Sequence, residues 1–299
     1  MLIFVDGCDT YATEADVETR WPLKGRNIDD KTPKPSGGRF GGGAMVAQDS
    51  LEGYPAFGLA IPPKAQTPGT DDLFIGVSFY KASPDPTGVP ILVFGNSALR
   101  KNTRYYRGFS YDDHLNNFYI RLNSNGTFTI LCEANEVVTS TAAYSFGFWT
   151  RLEFKIAVDD TNGVFEMRMD GTPIITFSGD TYRGVGAQNI SLIYCMSGDY
   201  MNYYDDWVIN DATGTEFNDY QGDLRIDTLF PNGDVSTDST VTGGTTSNEV
   251  LGESTPDDAD YVSLSGVGDR DVLDFDNLPD TPDTVLGVAV SVRARTQGT

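Results

Sequence analysis

The sequence predicts an all-β protein, with an antiparallel sandwich in its first two thirds and a smaller β domain after it. Three observations support this. From Leu2 onward, short apolar or β-branched runs alternate with turn clusters, as strands and hairpins of a sandwich require. The 32 Gly and 15 Pro supply those turns. Aromatic residues form 12% of the chain, including 17 Phe and 15 Tyr, so a core can be filled without metals or disulfides.

Taken in order, strands are expected at residues 73–80, 90–95, 117–122, 126–132, 149–158, 164–169, 190–195 and 204–209. Asn123-Ser124-Asn125-Gly126 and the run Asp159 to Gly163 separate alternating stretches, and their Asn and Gly residues accept the positive φ of tight hairpins. One segment, Thr13 to Trp21, reads as helical, with Thr13 as cap and Ala15, Val17 and Trp21 facing inward. The Pro- and Gly-rich stretches 31–43 and 61–70 read as rim loops.

The character changes near residues 212–222, which divides the chain into domains 1–214 and 215–299. No lysine follows Lys155, and between Phe230 and Val290 thirteen acidic residues face a single Arg270. Residues 236–247, rich in Ser, Thr, Gly and Asp, read as a long surface loop or a partner-bound arm. Strands are expected again at 261–264 and 285–292, the latter without an obvious return partner.

A formal net charge of −22 argues against nucleic acid as a partner, because affinity for phosphates comes from clustered Lys and Arg. Cys8, Cys132 and Cys195 are odd in number and lack metal-ligand spacing, so they read as buried free thiols. The apolar run at Met1 to Val5 is too short for a signal-peptide core, and no run of about 20 apolar residues suggests membrane insertion. Synthesis in the cytoplasm of the producing cell is the expectation.

Two elements resemble laminin-G and concanavalin A-like jelly rolls. One is Trp149-Thr-Arg-Leu-Glu-Phe-Lys-Ile-Ala-Val-Asp followed by the strand that ends Asp170-Gly171; the other is Tyr204-Asp205-Asp206-Trp207. The opening Val5-Asp6-Gly7-Cys8-Asp9-Thr10-Tyr11 through Trp21 is similar to that of bacteriophage structural proteins with this lectin-like domain. So are Asn218 to Ile226, Phe230 to Asp234, Pro256 to Val262 and Asp276 to Pro279. The resemblance implies a virion component, tail or minor structural protein or capsid decoration. Its partners would be other virion proteins and further copies of itself.

A glycanase of this fold would show Glu-x-Asp-x-x-Glu or Glu-x-Asp-x-Glu on one strand, and neither occurs. Glu153 between Arg151 and Lys155, and Glu166 beside Arg168, read as an exposed ion-pairing face. His114 is the only histidine and sits in a polar stretch. The chain is therefore expected to be non-enzymatic, and no catalytic residue is assigned. The carbohydrate-binding candidates are Tyr105, Tyr106, Arg107, Tyr111 and Asp113, where aromatic, basic and acidic side chains interleave. A host surface glycan is the matching ligand, and a tail-tip receptor-binding lectin or a depolymerase are the alternatives. No cofactor is required; calcium needs only oxygen ligands, with Asp205 and Asp206 as first candidates and Asp112 and Asp113 as second. On a regular strand, Asp205 and Asp206 would point to opposite faces.

Overall fold

The computed structural model describes residues 1–11, 13–24, 31–34, 36–47, 55–62, 72–95, 118–132, 135–182, 189–196, 201–253, 259–282, 284–290, 292 and 294. The chain divides into two units, Met1–Thr228 and Leu229–Thr299. This boundary lies later than the composition suggests, because residues 217–228 lie on a sheet of the first unit.

Two antiparallel sheets make that unit. The first has the order β13 (Thr172–Gly179), β12 (Gly163–Met169), β11 (Thr150–Ala157), β6 (Leu73–Lys81), β15 (Asn202–Asp211), β4 (Ala44–Ala47) and β3 (Lys31–Lys34), with β1 (Leu2–Asp6) also pairing to β15. The second runs β10 (Asn135–Ala143), β9 (Thr127–Cys132), β8 (Phe118–Leu122), β7 (Val89–Gly95), β14 (Leu192–Met196), β5 (Pro55–Ala60) and β2 (Leu23–Lys24). β3 occupies part of the stretch expected to be a rim loop: Pro33 can sit at a sheet edge, where its missing N–H costs no ladder bond. Both expected hairpins are present, the first closed by Gly126 at φ +85°. A further hairpin turns on Asp170 and Gly171, both at positive φ (+48° and +77°), as a tight two-residue turn demands.

Alternation along each strand fills the space between the sheets. Leu152, Phe154 and Ile156 of β11 join Phe165, Phe79, Phe94 and Trp207 in one buried cluster. Trp21, following α1 (Glu14–Arg20), is fully buried and meets Trp207 at 5.0 Å and Phe57 at 5.5 Å between ring centroids. Its indole N–H donates to Asp6 Oδ2 at 2.8 Å. Tyr11 Oη and the Cys8 amide donate to the same carboxylate, so the opening motif builds a satisfied buried polar knot. Thr13 and Asp16 form a capping box on α1. Val17 and Trp21 turn inward as expected, whereas Ala15 faces solvent, one residue off the buried stripe. The three cysteines are free and buried.

The second unit has two ribbons, β16 (Pro231–Thr237) with β19 (Asp271–Phe275), and β17 (Thr240–Thr242) with β18 (Tyr261–Ser263), joined by α2 (Ser247–Leu251). The stretch 236–247 is thus not a structureless loop. Asp271 orders it, accepting the amides of Asp238 and Ser239 at 3.0 and 3.1 Å and the hydroxyls of Ser239 and Ser247 at 2.6 and 2.9 Å. The expected strand at 285–292 does not form among the described residues there, which lie outside any ladder.

Candidate functional site

The face of the eight-stranded sheet directed away from the core carries a set of interacting polar and aromatic side chains. The ladder registers place them in rows. Arg151, Ser78 and Asp205 form one row across β11, β6 and β15; Glu153, Gly76 and Val208 form the next, and Lys155, Phe74 and Asn210 the third. Tyr80 and Tyr203 are directly paired, and Trp149 lies beside Tyr80 just before β11.

Residues 219–228 cross the middle of this face as a strap. Arg151 Nε donates to the Gly222 carbonyl at 3.1 Å, and the Gly222 amide donates to Glu153 Oε1 at 2.7 Å. Asn210 Nδ2 donates to the Asp219 carbonyl at 2.9 Å, and the Ile226 amide to Asp206 Oδ1 at 2.8 Å. The Thr228 amide reaches Asp9 Oδ2 at 3.3 Å. Tyr220 is held edge-on by Phe74 at 5.1 Å, while the Arg168 guanidinium lies 3.6 Å over its ring centroid. Arg39 pairs with Asp223 from the loop before β4.

The strap corrects the expectation of an exposed ion-pairing face. Arg151 and Glu153 are 0% and 2% exposed. The alternation of charge in β11 placed them on the outer face correctly, but what covers that face comes from 69 to 71 residues further on. Gly76 makes room, since a Cβ there would lie 2.3 Å from Arg151 Nη2. Burial lowers the Arg151 pKa to about 10, opposed by the nearby Asp206 and Glu153 carboxylates. Glu166 and Arg168 keep the expected pair at 2.7 Å, and Lys155 pairs with Asp72 at 2.9 Å.

Asp205 and Asp206 do not alternate as a regular strand requires. A bulge shifts the register between Asp205 and Val208, and Asp206 takes φ +49°. Both carboxylates therefore reach the outer side. Asp205 Oδ2 accepts the Arg39 amide at 2.8 Å, its Oδ1 accepts the Asp206 amide at 2.7 Å, and Ser78 Oγ donates to Asp206 Oδ2 at 3.1 Å. Burial, and then the Asp206 charge, push the Asp205 carboxyl up to about 8; burial also raises Asp206. A cation held by these two residues would compete with the Arg39 and Ile226 amides for the same oxygens. No group of three or more His, Cys, Asp or Glu side chains is arranged to hold a metal among the described residues.

The strap's hydrogen bonds fall on the other rows. Tyr80 meets Trp149 at 5.6 Å and Tyr203 at 5.4 Å, and all three are half-buried. Phe148 beside them is 67% exposed. The neighbours of Tyr203 on β15, Tyr204 and Trp207, belong to the core, with Tyr204 Oη donating to the Ile91 carbonyl at 2.6 Å. Tyr80 and Trp149 were legible as strand residues; only the register shows that they meet Tyr203. Tyr105, Tyr106, Arg107, Tyr111, Asp112, Asp113 and His114 lie outside the described residues.

No protein-family profile and no curated protein matches this chain. Among solved structures it is similar to the alginate lyase Aly36B, with a TM-score of 0.49 and 11% identity over 69% of this chain and 95% of that one. It is also similar to lectin I-B4 from Griffonia simplicifolia, with a TM-score of 0.45 and 11% identity over 71% and 99%. A carbohydrate esterase from the Shiga toxin-encoding bacteriophage phi24B gives 0.45 and 12% over 70% and 97%. The two antiparallel sheets of the first unit are those of the expected concanavalin A-like jelly roll. Two of these neighbours are named as a lyase and a carbohydrate esterase, and the expectation of a non-enzymatic chain is withdrawn. The missing paired-carboxylate signature bears on glycoside hydrolysis alone; elimination and ester cleavage do not need it.

Proposed function

We propose that this chain is a bacteriophage particle protein whose jelly roll engages a surface polysaccharide of the host at the row Trp149, Tyr80 and Tyr203. The observation that carries the reading is this aromatic row, beside the middle rows of the sheet face that the strap crosses. Aromatic rings present apolar faces to the C–H face of a sugar and, in tyrosine, a hydroxyl to its polar edge. The rings are braced against one another at 5.4–5.6 Å, so little conformational entropy is lost when a saccharide stacks on them. Multiple copies on a particle would raise a weak single-site affinity. The placement on a virion, at tail or capsid, is supported by the resemblance of the opening motif and of the segment Asn218 to Ile226 to phage structural proteins.

The test is binding of the full chain to a panel of bacterial surface polysaccharides, repeated with Trp149→Ala and Tyr80→Ala. At least a tenfold loss of affinity is expected from each, with unchanged far-ultraviolet circular dichroism. Binding that survives both substitutions places the ligand elsewhere. The same mixtures, followed for polysaccharide shortening, for unsaturated uronate ends and for released acyl groups, read out turnover. Immunogold labelling of intact particles with antibody to the jelly roll tests the virion assignment and separates tail tip from shaft and capsid.

A further inference from the structure

The second unit leaves much of its apolar side-chain surface in water. Val235 of β16 and Phe275 of β19 are 66% and 49% exposed. Each of the two ribbons is only two strands wide, so each has unpaired edges. Exposed apolar surface beside an open strand edge is a template for another strand.

The segment 285–292 has the complementary form. Val288, Val290 and Val292 are 84%, 82% and 79% exposed. Their two-residue spacing puts them on one side of an extended chain. The described residues of this segment pair with no ladder of their own chain.

Charge selects what each half will accept. Residues 229–283 carry thirteen acidic side chains and Arg270 alone as a cation, whereas residues 284–299 carry no acidic side chain and two arginines, Arg293 and Arg295. Two acidic bodies repel one another face to face, but the cationic, valine-rich segment is attracted to an acidic body.

We infer that residues 285–292 of one copy add as a strand to the β16–β19 ribbon of a second copy. The valines of the added strand cover apolar surface of the ribbon, to which Val235 and Phe275 contribute, and the charge of the cationic segment favours an acidic partner. The contact is heterologous, using different surfaces on the two partners, so it propagates into a ring or a row of subunits. It is independent of the saccharide reading.

Complementation tests it. Size-exclusion chromatography with light scattering is run on the full chain, on Val288→Asp/Val290→Asp, which disables the segment, and on Val235→Asp/Phe275→Asp, which disables the ribbon. The wild-type chain is expected to assemble with increasing concentration. Each double variant alone is expected to be a monomer, and an equimolar mixture of the two is expected to give a dimer, because each supplies the half the other lacks. Circular dichroism and the thermal transition of each variant confirm that the fold is kept. The inference is overturned by a wild-type chain that stays monomeric up to its solubility limit, by variants that assemble like wild type, or by folded variants that do not complement.

Discussion

The carboxylate of Asp206 accepts the backbone amide of Ile226 at 2.8 Å, tying the bulge in β15 to a segment 20 residues further along the chain. The bulge makes this contact available, because without the extra residue and the φ of +49° the Asp206 side chain would point into the core. Asp206→Ala removes the acceptor for Ile226 and Ser78 and one of the charges facing the buried Arg151 guanidinium. A loss of about 3 kcal/mol in the first unit is expected. Limited proteolysis should show new cleavage within residues 217–228, and a variant as resistant as wild type would show that the strap is held by other contacts.

Gly76 is the floor on which the Arg151 guanidinium rests. A methyl group there would meet Nη2 at 2.3 Å and a Val208 methyl at 2.9 Å, so Gly76→Ala is expected to cost about 1–3 kcal/mol by overpacking. Thermal unfolding measures this. Because Arg151 is the group displaced, pairing Gly76→Ala with Arg151→Met should recover part of the loss.

The first unit should grow less stable as pH rises from about 4 toward 8. The Asp205 carboxyl is pushed up to about 8 and that of Asp9 to about 6, in both cases chiefly by burial. The folded state thus holds more protons than the unfolded state across this window, and stability falls as they are lost. Melting temperature against pH should slope downward, and Asp205→Asn should flatten the upper part of the slope. A flat wild-type profile would mean that the carboxylate cluster is charged throughout.

The second unit should respond in the opposite sense. Burial is the largest single influence on Asp271 and works against its charged form, but hydrogen bonds from the Ser239 and Ser247 hydroxyls and from the Ser239 and Asp238 amides together outweigh it and lower the pKa. That stabilisation is present above the ordinary carboxylate range and is lost as pH falls through the lowered value. Asp271→Ala is expected to cost about 1 kcal/mol at neutral pH, discounted for solvent exposure. Hydrogen exchange of the Asp238 and Ser239 amides reads it without interference from the jelly roll.

Much of the jelly roll was legible residue by residue. The runs around Phe79, Phe94, Ile120, Phe128, Phe154, Phe165, Ile193 and Trp207 alternate or stay apolar between Gly and Asn turns, and each became a strand with those side chains inside. Local chemistry sufficed there, because a hairpin needs only positive-φ residues at its turn and one apolar face. It also set the helix start at Thr13, the free buried thiols and the acidic character of the second unit. At Val288 and Val290, alternation alone predicted a strand that the chain does not form by itself, since a strand requires a partner and pattern does not supply one.

What the sequence determined by itself was therefore which residues face inward, where the chain turns and where its charge lies, all of which depend on neighbours a few positions away. The tertiary structure decided which strands lie side by side, and so which outer side chains share a row. It brought Trp149, Tyr80 and Tyr203 together from three separate segments, bent Asp205 and Asp206 onto one side through a bulge, and laid residues 219–228 over Arg151 and Glu153. Those outcomes depend on register and on contacts between distant segments. A period-two pattern looks the same whichever strand becomes its neighbour and whatever later covers it.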